Sequence, residues 1–338
     1  MINQVYRLVG VRQIQADFVD LKLNWESVIV RPTYLSICAA DQRYYTGSRG
    51  SVILKEKLPM ALIHEAVGEV VYDPKGEYRI GTTVVMIPNT PSQYDEIIKD
   101  NYLSNSRFRA SGFDGFMQNV VKMRRNLIIP FHSNPRTAVL LELMSVAVNA
   151  IETFKKQAHA RRNVIGVWGN GNVGFVTALL LKKEFPDSRI VVFGVTEEKM
   201  AYFSFADETY LINSIPDSLR VDHAFECVGG VASETAIAQM IDCIRPQGSI
   251  SLMGVSEQPV AINTRMVLEK GLNMIGNSRS SYSDFERAVK LLDGHPDVRE
   301  YISTIISEEI EVKTIQDIHK AFENDWNNTF KTIMKWEI

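Results

Sequence analysis

Residues 164–174 read Val164-Ile-Gly-Val-Trp-Gly-Asn-Gly-Asn-Val-Gly174, so a short apolar strand leads directly into the pattern G-x-G-x-x-G. Gly169 permits a tight turn at the end of the strand. Gly171 lets a pyrophosphate approach the backbone, and Gly174 lets the following helix pack close to the sheet. An ordinary glycine-rich turn would not need this apolar context on both sides. The stretch therefore predicts the phosphate-binding turn of a dinucleotide-binding βαβ unit.

Apolar strands alternate with helical stretches around this turn. The first helix is predicted over 172–184, so the amides of Asn172 and Val173 at its start would face the pyrophosphate. The predicted strands are 164–168, 189–194, 208–212, 222–228, 248–254 and 272–277. Strands and helices in this alternation predict an α/β fold with a doubly wound parallel sheet of the Rossmann type.

The rest of the chain has a different rhythm. The first 148 residues are β-rich, with predicted strands at 27–31, 65–72 and 82–87 and an exposed polar loop over 89–114. After residue 277 the sequence predicts a helix over 283–292, a strand near 302–306, a helix over 315–324 and a strand over 330–336. About 60 residues are too few for an independent core. We therefore expect a Rossmann domain (149–276) inserted in a β-rich domain formed by 1–148 and 277–338.

Composition narrows the class of protein. The chain has 338 residues, which suits two domains, and it is 45% hydrophobic and 23% charged, as is typical of globular proteins. A net charge of −3 argues against a nucleic-acid or acidic-membrane partner. No long apolar run predicts a membrane span, and no secretory signal is evident near the start. The three cysteines are few and odd in number, which favours a cytoplasmic location over a disulfide scaffold.

Metal-capable side chains occur in three segments of the β-rich part, at Cys38, at His64-Glu65 and at Glu142. A thiolate, an imidazole and a carboxylate together form a known type of open catalytic zinc site. Taken singly, each has an ordinary explanation. A cysteine in an apolar segment is usually a small buried hydrophobe, and Glu142 could lie on a helix surface. Spacing alone leaves both explanations open.

The segments around these residues resemble motifs of the zinc-dependent medium-chain dehydrogenase/reductase family over essentially the whole chain. The matching segments are Cys38-x-x-Asp41, His64-Glu65 (with Ile63 where the family has Gly), Ser111–Gln118, Glu142-Leu-Met-Ser-Val and Lys331-Thr-Ile-Met-Lys335-Trp336. The resemblance implies a GroES-like fold for the β-rich domain and ligation of catalytic Zn²⁺ by Cys38, His64 and Glu65. It makes Glu142 a fourth ligand or a partner of the zinc-bound water, and it gives Asp41 the task of orienting an imidazole.

Two departures from the family pattern have consequences. No cysteine lies between Val52 and Glu226, so the second, structural zinc of many relatives is not expected. Ala40 stands where many relatives have a Ser or Thr that relays a proton. The proton route must then differ, through Glu65, Glu142, Tyr45 or water, and the sequence does not choose among them.

The identity of the nicotinamide cofactor is predicted from the end of the second strand. NAD enzymes usually place an Asp or Glu there, about 20 residues beyond the glycine pattern, to bind the ribose hydroxyls. Gly194 occupies that position, which leaves room for a 2′-phosphate and favours NADPH. The alternative is that Glu197 or Glu198 reaches the ribose and NADH is preferred. The other candidate cofactor residues are Thr196, Lys199, Cys227 and Val228.

A narrower resemblance concerns the substrate. Segments 36–49, 224–230 and 267–271 are similar to those of the ribulose-5-phosphate reductases. This implies NADPH-linked reduction of D-ribulose 5-phosphate to D-ribitol 5-phosphate, which supplies CDP-ribitol for teichoic-acid or capsule synthesis. Guanidinium groups suit a phosphate because they offer a planar set of donors. The candidate substrate residues are Arg43, Tyr44, Arg49 and Arg279, with Arg107 and Arg109 as weaker candidates.

Two other functions are compatible with the same residues. One is a polyol or alcohol dehydrogenase that acts on an unphosphorylated substrate. The other is a non-catalytic NADPH-binding protein, against which the intact zinc motifs argue. The resemblance further implies a homodimer, with edge strands near 272–277 paired, and a cytidylyltransferase as a partner in the pathway.

Overall fold

A computed structural model of the protein describes residues 1–338. The chain forms two compact units. One comprises residues 1–145 and 280–338, here called the β-rich unit. The other comprises residues 146–279, here called the Rossmann unit.

The elements follow one another along the chain in two rhythms, β-rich at both ends and alternating in the middle. The strands are β1 (Ile2–Gly10), β2 (Gln13–Asp20), β3 (Ser27–Ser36), β4 (Met60–Ala61), β5 (Glu65–Tyr72), β6 (Thr83–Met86), β7 (Asn89–Thr90), β8 (Arg107–Phe108), β9 (Val121–Arg124), β10 (Ile128–Pro130), β11 (Val164–Trp168), β12 (Arg189–Gly194), β13 (Glu208–Leu211), β14 (His223–Glu226), β15 (Ser249–Leu252), β16 (Asn273–Gly276), β17 (Ile306–Val312) and β18 (Lys331–Trp336). The helices are α1 (Ala39–Tyr45), α2 (Ser51–Lys57), α3 (Pro135–Ala138), α4 (Leu141–Gln157), α5 (Asn172–Glu184), α6 (Glu197–Met200), α7 (Ser233–Cys243), α8 (Thr264–Lys270), α9 (Tyr282–Gly294), α10 (Pro296–Thr304) and α11 (Ile315–Asp325). Short 3-10 helices occur at Asp100–Tyr102 and Arg125–Leu127.

The β-rich unit is built on a sheet to which both ends of the chain contribute. Its strand order is β10-β6-β5-β3-β18-β17, and β9 also pairs with β3. The last strand, β18, runs antiparallel to β3 with Ile333 opposite Ser36. Trp336 is anchored by a hydrogen bond from its indole N–H to Gln118 O (2.9 Å). The C-terminal tail thus completes the sheet that carries the N-terminal segments.

The prediction of a strand near 302–306 is wrong. Residues up to Thr304 belong to α10, and β17 begins only at Ile306. The β-branched run in this segment favours a strand, but Pro296 stands at the first helical position, where its fixed φ suits a helix. Val298 and Ile302, four residues apart, are both buried. Burial of one helical face therefore overrides the local β-propensity.

The segment over 89–114 is more ordered than the exposed loop that was expected. Strands β7 and β8 pair, and Asn89 is 2% exposed. The Asn89 amide and the Ser106 hydroxyl both donate to Asp100 O, at 3.2 Å and 2.8 Å. Hydrogen bonds therefore hold this segment, which contains no cysteine.

The Rossmann unit contains a single parallel sheet. Its strand order is β13-β12-β11-β14-β15-β16, which in order of appearance is 3-2-1-4-5-6. That is the order of a doubly wound dinucleotide-binding sheet, with the topological switch between the first and fourth strands. The rings of Trp168 and Phe193 stack at 3.9 Å in its core. The predicted fold class is confirmed, and α5 has the predicted bounds.

His223 is a buried, neutral part of this core. Its Nδ1 accepts the Ser249 N–H at 3.1 Å, and its Nε2 lies 2.9 Å from Arg161 O, so Nε2 carries the proton. Burial, together with the charge of His159 4.3 Å away between ring centroids, lowers the pKa of His223 to about 4. An unfolded histidine titrates near 6.5. As the pH falls, His223 therefore binds a second proton at a higher pH in the unfolded chain than in the folded protein.

We expect the protein to lose stability as the pH falls from about 6.5 towards 4 because of this residue. His223→Gln, which has no proton to take up, should have a flatter pH dependence. Between about pH 7.5 and 5, the unfolding free energy of the wild type should fall by roughly 2 kcal/mol more than that of the variant. Urea-induced unfolding at the two pH values measures this difference, and equal losses would contradict the assignment.

Candidate metal centre and cofactor turn

The three predicted donors Cys38, His64 and Glu65 come together in the β-rich unit. One ligand atom from each lies within 4.8 Å of the others. The sheet register explains this, because Ser36 at the end of β3 is paired with Glu65 at the start of β5. Cys38 follows two residues after Ser36, at the start of α1. Two neighbouring strand ends therefore bring sulfur, nitrogen and oxygen donors to one place.

Asp41 holds the two donor segments against each other. Its Oδ1 accepts the Ile63 N–H at 2.9 Å, and its Oδ2 accepts the Cys38 N–H at 3.2 Å. The same Oδ2 lies 3.4 Å from His64 Nδ1. This contact leaves His64 Nε2 for another ligand, as is usual for a carboxylate behind a metal-binding histidine. Burial lowers the pKa of His64, but the charges of Asp41 and Cys38 raise it to well above its usual value.

Ile63 adopts the backbone conformation that the family's glycine would adopt freely. Its φ is 70°, in the left-handed region, where a β-branched residue is strained. The side chain is nevertheless fully buried, and Ile63 O accepts the Phe116 N–H at 2.8 Å. Packing and this hydrogen bond therefore hold a conformation that presents the adjacent His64.

Glu65 has a buried basic partner that the sequence analysis did not assign. Lys331 Nζ on β18 lies 2.6 Å from Glu65 Oε1 and also donates to Ile37 O at 2.8 Å. Both side chains are at most 3% exposed. Burial lowers the pKa of Lys331, but the charge of Glu65 raises it above its usual value. The other carboxylate oxygen, Glu65 Oε2, is buried without a hydrogen-bond partner.

These observations test whether the donors suit a zinc ion. Structural and catalytic zinc sites use Cys, His and carboxylate ligands. An orphaned buried oxygen normally costs stability, and a cation bound beside Glu65 Oε2 would satisfy it. The arrangement of Cys38, His64 and Glu65 therefore fits a zinc site with an open position.

Glu142 lies at the first turn of α4 and is 5% exposed. It is not among the three residues whose ligand atoms cluster. Burial raises its pKa to about 7, with the charge of His64 lowering it and that of Glu65 raising it. The charges of His64 and Glu65 thus affect the protonation of Glu142. Direct ligation by Glu142 stays a prediction.

The substrate candidates Arg43, Tyr44 and Arg49 lie on and just after α1, the helix that begins at the Cys38 cap. Tyr44 is 4% exposed, and the Arg49 guanidinium lies over its ring at 4.9 Å. The Arg49 N–H donates to Arg43 O at 3.3 Å. The next residue, Tyr45, has its hydroxyl 2.8 Å from His319 Nδ1, so that group is already engaged by α11.

The remaining arginine candidates have different surroundings. Arg109 donates to Asp114 O (3.0 Å) and Lys122 O (3.1 Å), and burial lowers its pKa to about 10. Its guanidinium is therefore engaged by backbone carbonyls. Arg279, in the Rossmann unit, has a φ of 58°, and burial lowers its pKa.

The glycine turn has the geometry that its sequence predicts. Gly169 has a φ of 116°, and a Cβ there would lie 2.8 Å from Cys227 O. A Cβ at Gly174 would lie 1.8 Å from Gly169 O, so only glycine allows α5 to pack this close. Around Gly171, at the N-cap of α5, a Cβ would meet no atom within 4 Å. That open space is what a phosphate needs at a helix N-terminus.

Asn170 fills the space beside Gly194, the residue expected to discriminate between cofactors. A Cβ at Gly194 would lie 2.4 Å from the Asn170 side-chain amide. That amide donates to Thr196 O at 2.7 Å and is 5% exposed. A glycine at 194 thus lets Asn170 bridge the first strand end to the loop after the second. Lys199 follows in α6, and burial lowers its pKa.

Three further residues make buried polar contacts that the sequence did not reveal, namely Lys331, Asn170 and Glu226. Lys331 opens the closing strand of an apolar sheet, and a lysine there is a weak signal for a buried partner. Asn170 stands between two glycines of the fingerprint, at a position where the pattern specifies no residue type. Glu226 ends a buried strand, and its carboxylate contacts depend on loop geometry that the sequence does not reveal.

Comparison with known proteins places the chain in a family. Residues 25–133 match the family model of the alcohol dehydrogenase GroES-like domain, and residues 135–336 match that of the glucose dehydrogenase C-terminus. The chain is 51% identical to the ribulose-5-phosphate reductase of Bacillus spizizenii, with 100% of both chains covered. It is 50% identical to ribulose-5-phosphate reductase 1 of Staphylococcus aureus, with 99% of both covered.

Solved structures agree with this assignment. The crystal structure of S. aureus TarJ in complex with NADPH has a TM-score of 0.90 and 46% identity, and all of both chains is covered. L-Idonate 5-dehydrogenase of Escherichia coli, at 19% identity and a TM-score of 0.86, shares the fold. No helix of the protein combines the length and apolar character needed to span a bilayer. The chain belongs to the zinc-type medium-chain dehydrogenase/reductase family.

Proposed function

We propose that this protein reduces the C2 ketone of D-ribulose 5-phosphate to D-ribitol 5-phosphate with NADPH and a proton. The observation that carries the proposal is the clustering of Cys38, His64 and Glu65 within 4.8 Å. It occurs in a chain that matches ribulose-5-phosphate reductases at about half of its positions over its full length. D-Ribitol 5-phosphate is the precursor of CDP-ribitol for teichoic-acid or capsule synthesis.

The residues of the metal centre have separate tasks. Cys38, His64 and Glu65 would hold Zn²⁺, and Glu142 would be a fourth ligand or a partner of a water at the metal. When bound, zinc supplies a Lewis acid that polarises the ketone oxygen. Asp41 orients His64 through the 3.4 Å contact, and Lys331 balances the charge of Glu65. With Ala40 at the usual relay position, the proton would come through Glu65, Glu142, water or Tyr45, whose hydroxyl lies 2.8 Å from His319 Nδ1.

The cofactor is held by the Rossmann turn. Gly169, Gly171 and Gly174, with the amides of Asn172 and Val173, would receive the pyrophosphate of NADPH. Gly194, Thr196 and Lys199 would receive the 2′-phosphate, and Cys227 and Val228 lie on the side of the fourth strand. When bound, the cofactor would supply the hydride.

The substrate phosphate is assigned to Arg43 and Arg49, with Tyr44 lining the pocket. Support comes from their position on and just after the helix that begins at Cys38, because a pentulose 5-phosphate is short and needs its cations near the metal. Arg279 stays a further candidate. Arg107 and Arg109 are weaker candidates, since carbonyl groups engage Arg109. We further propose a cytoplasmic homodimer with paired β16 edge strands, whose product is used by a cytidylyltransferase.

One activity assay tests this function. Oxidation of NADPH is followed with D-ribulose 5-phosphate, D-ribulose and D-xylulose as separate substrates. We expect turnover with the phosphorylated ketose, loss of turnover after chelation and recovery when zinc is restored. Turnover of the free ketoses alone would instead indicate a polyol dehydrogenase. Stoichiometric zinc with no reductase activity would indicate a non-catalytic NADPH-binding protein.

Cofactor preference depends on Gly194 and Asn170 together. The sequence alone predicts that Gly194→Asp shifts the preference toward NADH. In the structure, the new side chain would displace Asn170, so we expect the single variant to lose activity with both cofactors. The double variant Asn170→Gly, Gly194→Asp has room for the carboxylate. We expect it to shift the NADH/NADPH ratio of kcat/KM by about 100-fold, because the carboxylate repels a 2′-phosphate and can bind ribose hydroxyls.

The control is Asn170→Gly alone, which removes the bond to Thr196 O without adding a charge. It should weaken NADPH binding only modestly and leave the preference for NADPH in place. A single Gly194→Asp variant that uses NADH efficiently would show that Asn170 does not restrict this position.

A further inference from the structure

Glu226 is a buried carboxylate at the carboxyl end of β14, the fourth strand of the Rossmann sheet. Its Oε1 accepts the N–H groups of Val228 (2.8 Å) and Gly229 (2.9 Å) and the hydroxyl of Ser233 (3.0 Å). Its Oε2 accepts the Gly254 N–H at 2.8 Å. The residue is 1% exposed. All four groups that donate to the Glu226 carboxylate are neutral, and they come from two different segments of the chain.

These segments follow the fourth and fifth strands, and Glu226 fixes them to each other. The first (227–233) leads into α7, and the second follows Leu252, the last residue of β15. The Gly230 N–H donates to Val255 O at 3.0 Å, which adds a second tie between them. The packing is close, because a Cβ at Gly254 would lie 2.3 Å from Gly229 N and 2.6 Å from both carboxylate oxygens.

The loop after β14, which Glu226 holds, also lies against the phosphate-binding turn. A Cβ at Gly169 would meet Cys227 O at 2.8 Å and Val228 N at 3.2 Å. Dinucleotides bind at the carboxyl ends of these strands, one mononucleotide on each side of the switch point. Strands one to three carry the fingerprint and Gly194 on the adenosine side. Strands four and five are therefore on the nicotinamide side.

We propose that Glu226 is a positioning residue for the nicotinamide half of the cofactor. Its carboxylate holds the loops 227–233 and 253–255 in the conformation that receives the nicotinamide nucleotide, without touching the reacting atoms. The inference rests on the proposed use of NADPH. It predicts that a defect at Glu226 affects the nicotinamide half and spares the adenosine half.

Glu226→Gln tests this with little change in shape. The side-chain amide of glutamine has one oxygen and one NH2 group. The NH2 group is a donor, and it would face either the Gly254 N–H or the Val228 and Gly229 N–H groups, which are donors too. The purified zinc-loaded enzyme is titrated with NADPH and with adenosine 2′,5′-bisphosphate, which carries the 2′-phosphate but no nicotinamide. We expect the Kd of NADPH to rise by about 10- to 100-fold and that of the fragment to change by less than about twofold.

Asp222→Asn is the matched control. Asp222 is also 1% exposed, and its Oδ2 accepts two backbone N–H groups, from Asn163 (2.9 Å) and Val164 (3.1 Å). It precedes β14 at the opposite end of the same strand. This variant should lower stability and leave both dissociation constants unchanged. Equal weakening of both ligands by Glu226→Gln, or of neither, would overturn the proposal and leave Glu226 a purely structural residue.

Ser233→Ala provides a second test if Glu226→Gln does not fold. It removes only the hydroxyl donor to Oε1 and should raise the Kd of NADPH by about threefold, again without affecting the fragment. An unchanged Kd of NADPH in Ser233→Ala would then count against the proposed positioning role of Glu226. Failure of the proposed use of NADPH is distinguishable, because the wild-type enzyme would then not bind NADPH tightly.

Discussion

Cys38→Ser is expected to lose bound zinc and to lower kcat/KM for D-ribulose 5-phosphate by at least about 1000-fold, equivalent to about 4 kcal/mol. A thiolate is a strong zinc ligand, whereas a serine hydroxyl stays protonated near neutral pH. The loss removes one of the three donors that cluster within 4.8 Å. The measurements are metal content per chain and steady-state kinetics with NADPH.

Cys243→Ser is the matched control. Cys243 is the last residue of α7 in the Rossmann unit, and it belongs to no cluster of metal-capable groups. It should keep full zinc content and activity. A Cys38→Ser enzyme that retains both would show that the cluster is not the metal centre.

In the zinc-free protein, Lys331→Met is expected to lower the free energy of unfolding by about 3–5 kcal/mol, the usual cost of leaving one member of a buried ion pair alone. Methionine keeps the length of the side chain and removes the charge. Glu65 would then be buried, under the influence of the Glu142 charge, without the 2.6 Å contact to an ammonium group. Denaturant-induced unfolding at neutral pH measures the change.

Two further variants separate charge from packing. Lys331→Arg keeps the positive charge and should recover much of the stability. The double variant Lys331→Met, Glu65→Gln removes both charges and should be more stable than Lys331→Met alone. A loss below about 1 kcal/mol in Lys331→Met would mean that the ion pair does not stabilise the folded state.

The alternating part of the chain could be predicted well from local pattern. The central strands β11 and β12 are short apolar runs between turn residues, and such runs are buried on both faces. The bounds of α5 and of β12 follow from this pattern without tertiary information. The strand expected near 302–306 failed because its β-branched residues are equally able to form the buried face of a helix beginning at Pro296.

The metal donors could be named only through their motifs. Nothing local relates Cys38 to Glu65. Their proximity depends on the register between β3 and β5, which is a tertiary property. Lys331 depends further on the pairing of β18 with β3 across almost the whole chain. The contact of Asn170 could not be predicted for a similar reason, since its side chain donates to Thr196 O, just after the end of the next strand.

The position of Lys331 on the last strand has a consequence for biosynthesis. The ribosome delivers Cys38, His64 and Glu65 early, but the ammonium group that neutralises Glu65 emerges only as translation ends. A growing polypeptide thus contains all three metal donors before the charge of Glu65 can be balanced. A premature stop or a protease cut that removes only β18 would disable the enzyme although every metal donor is still present.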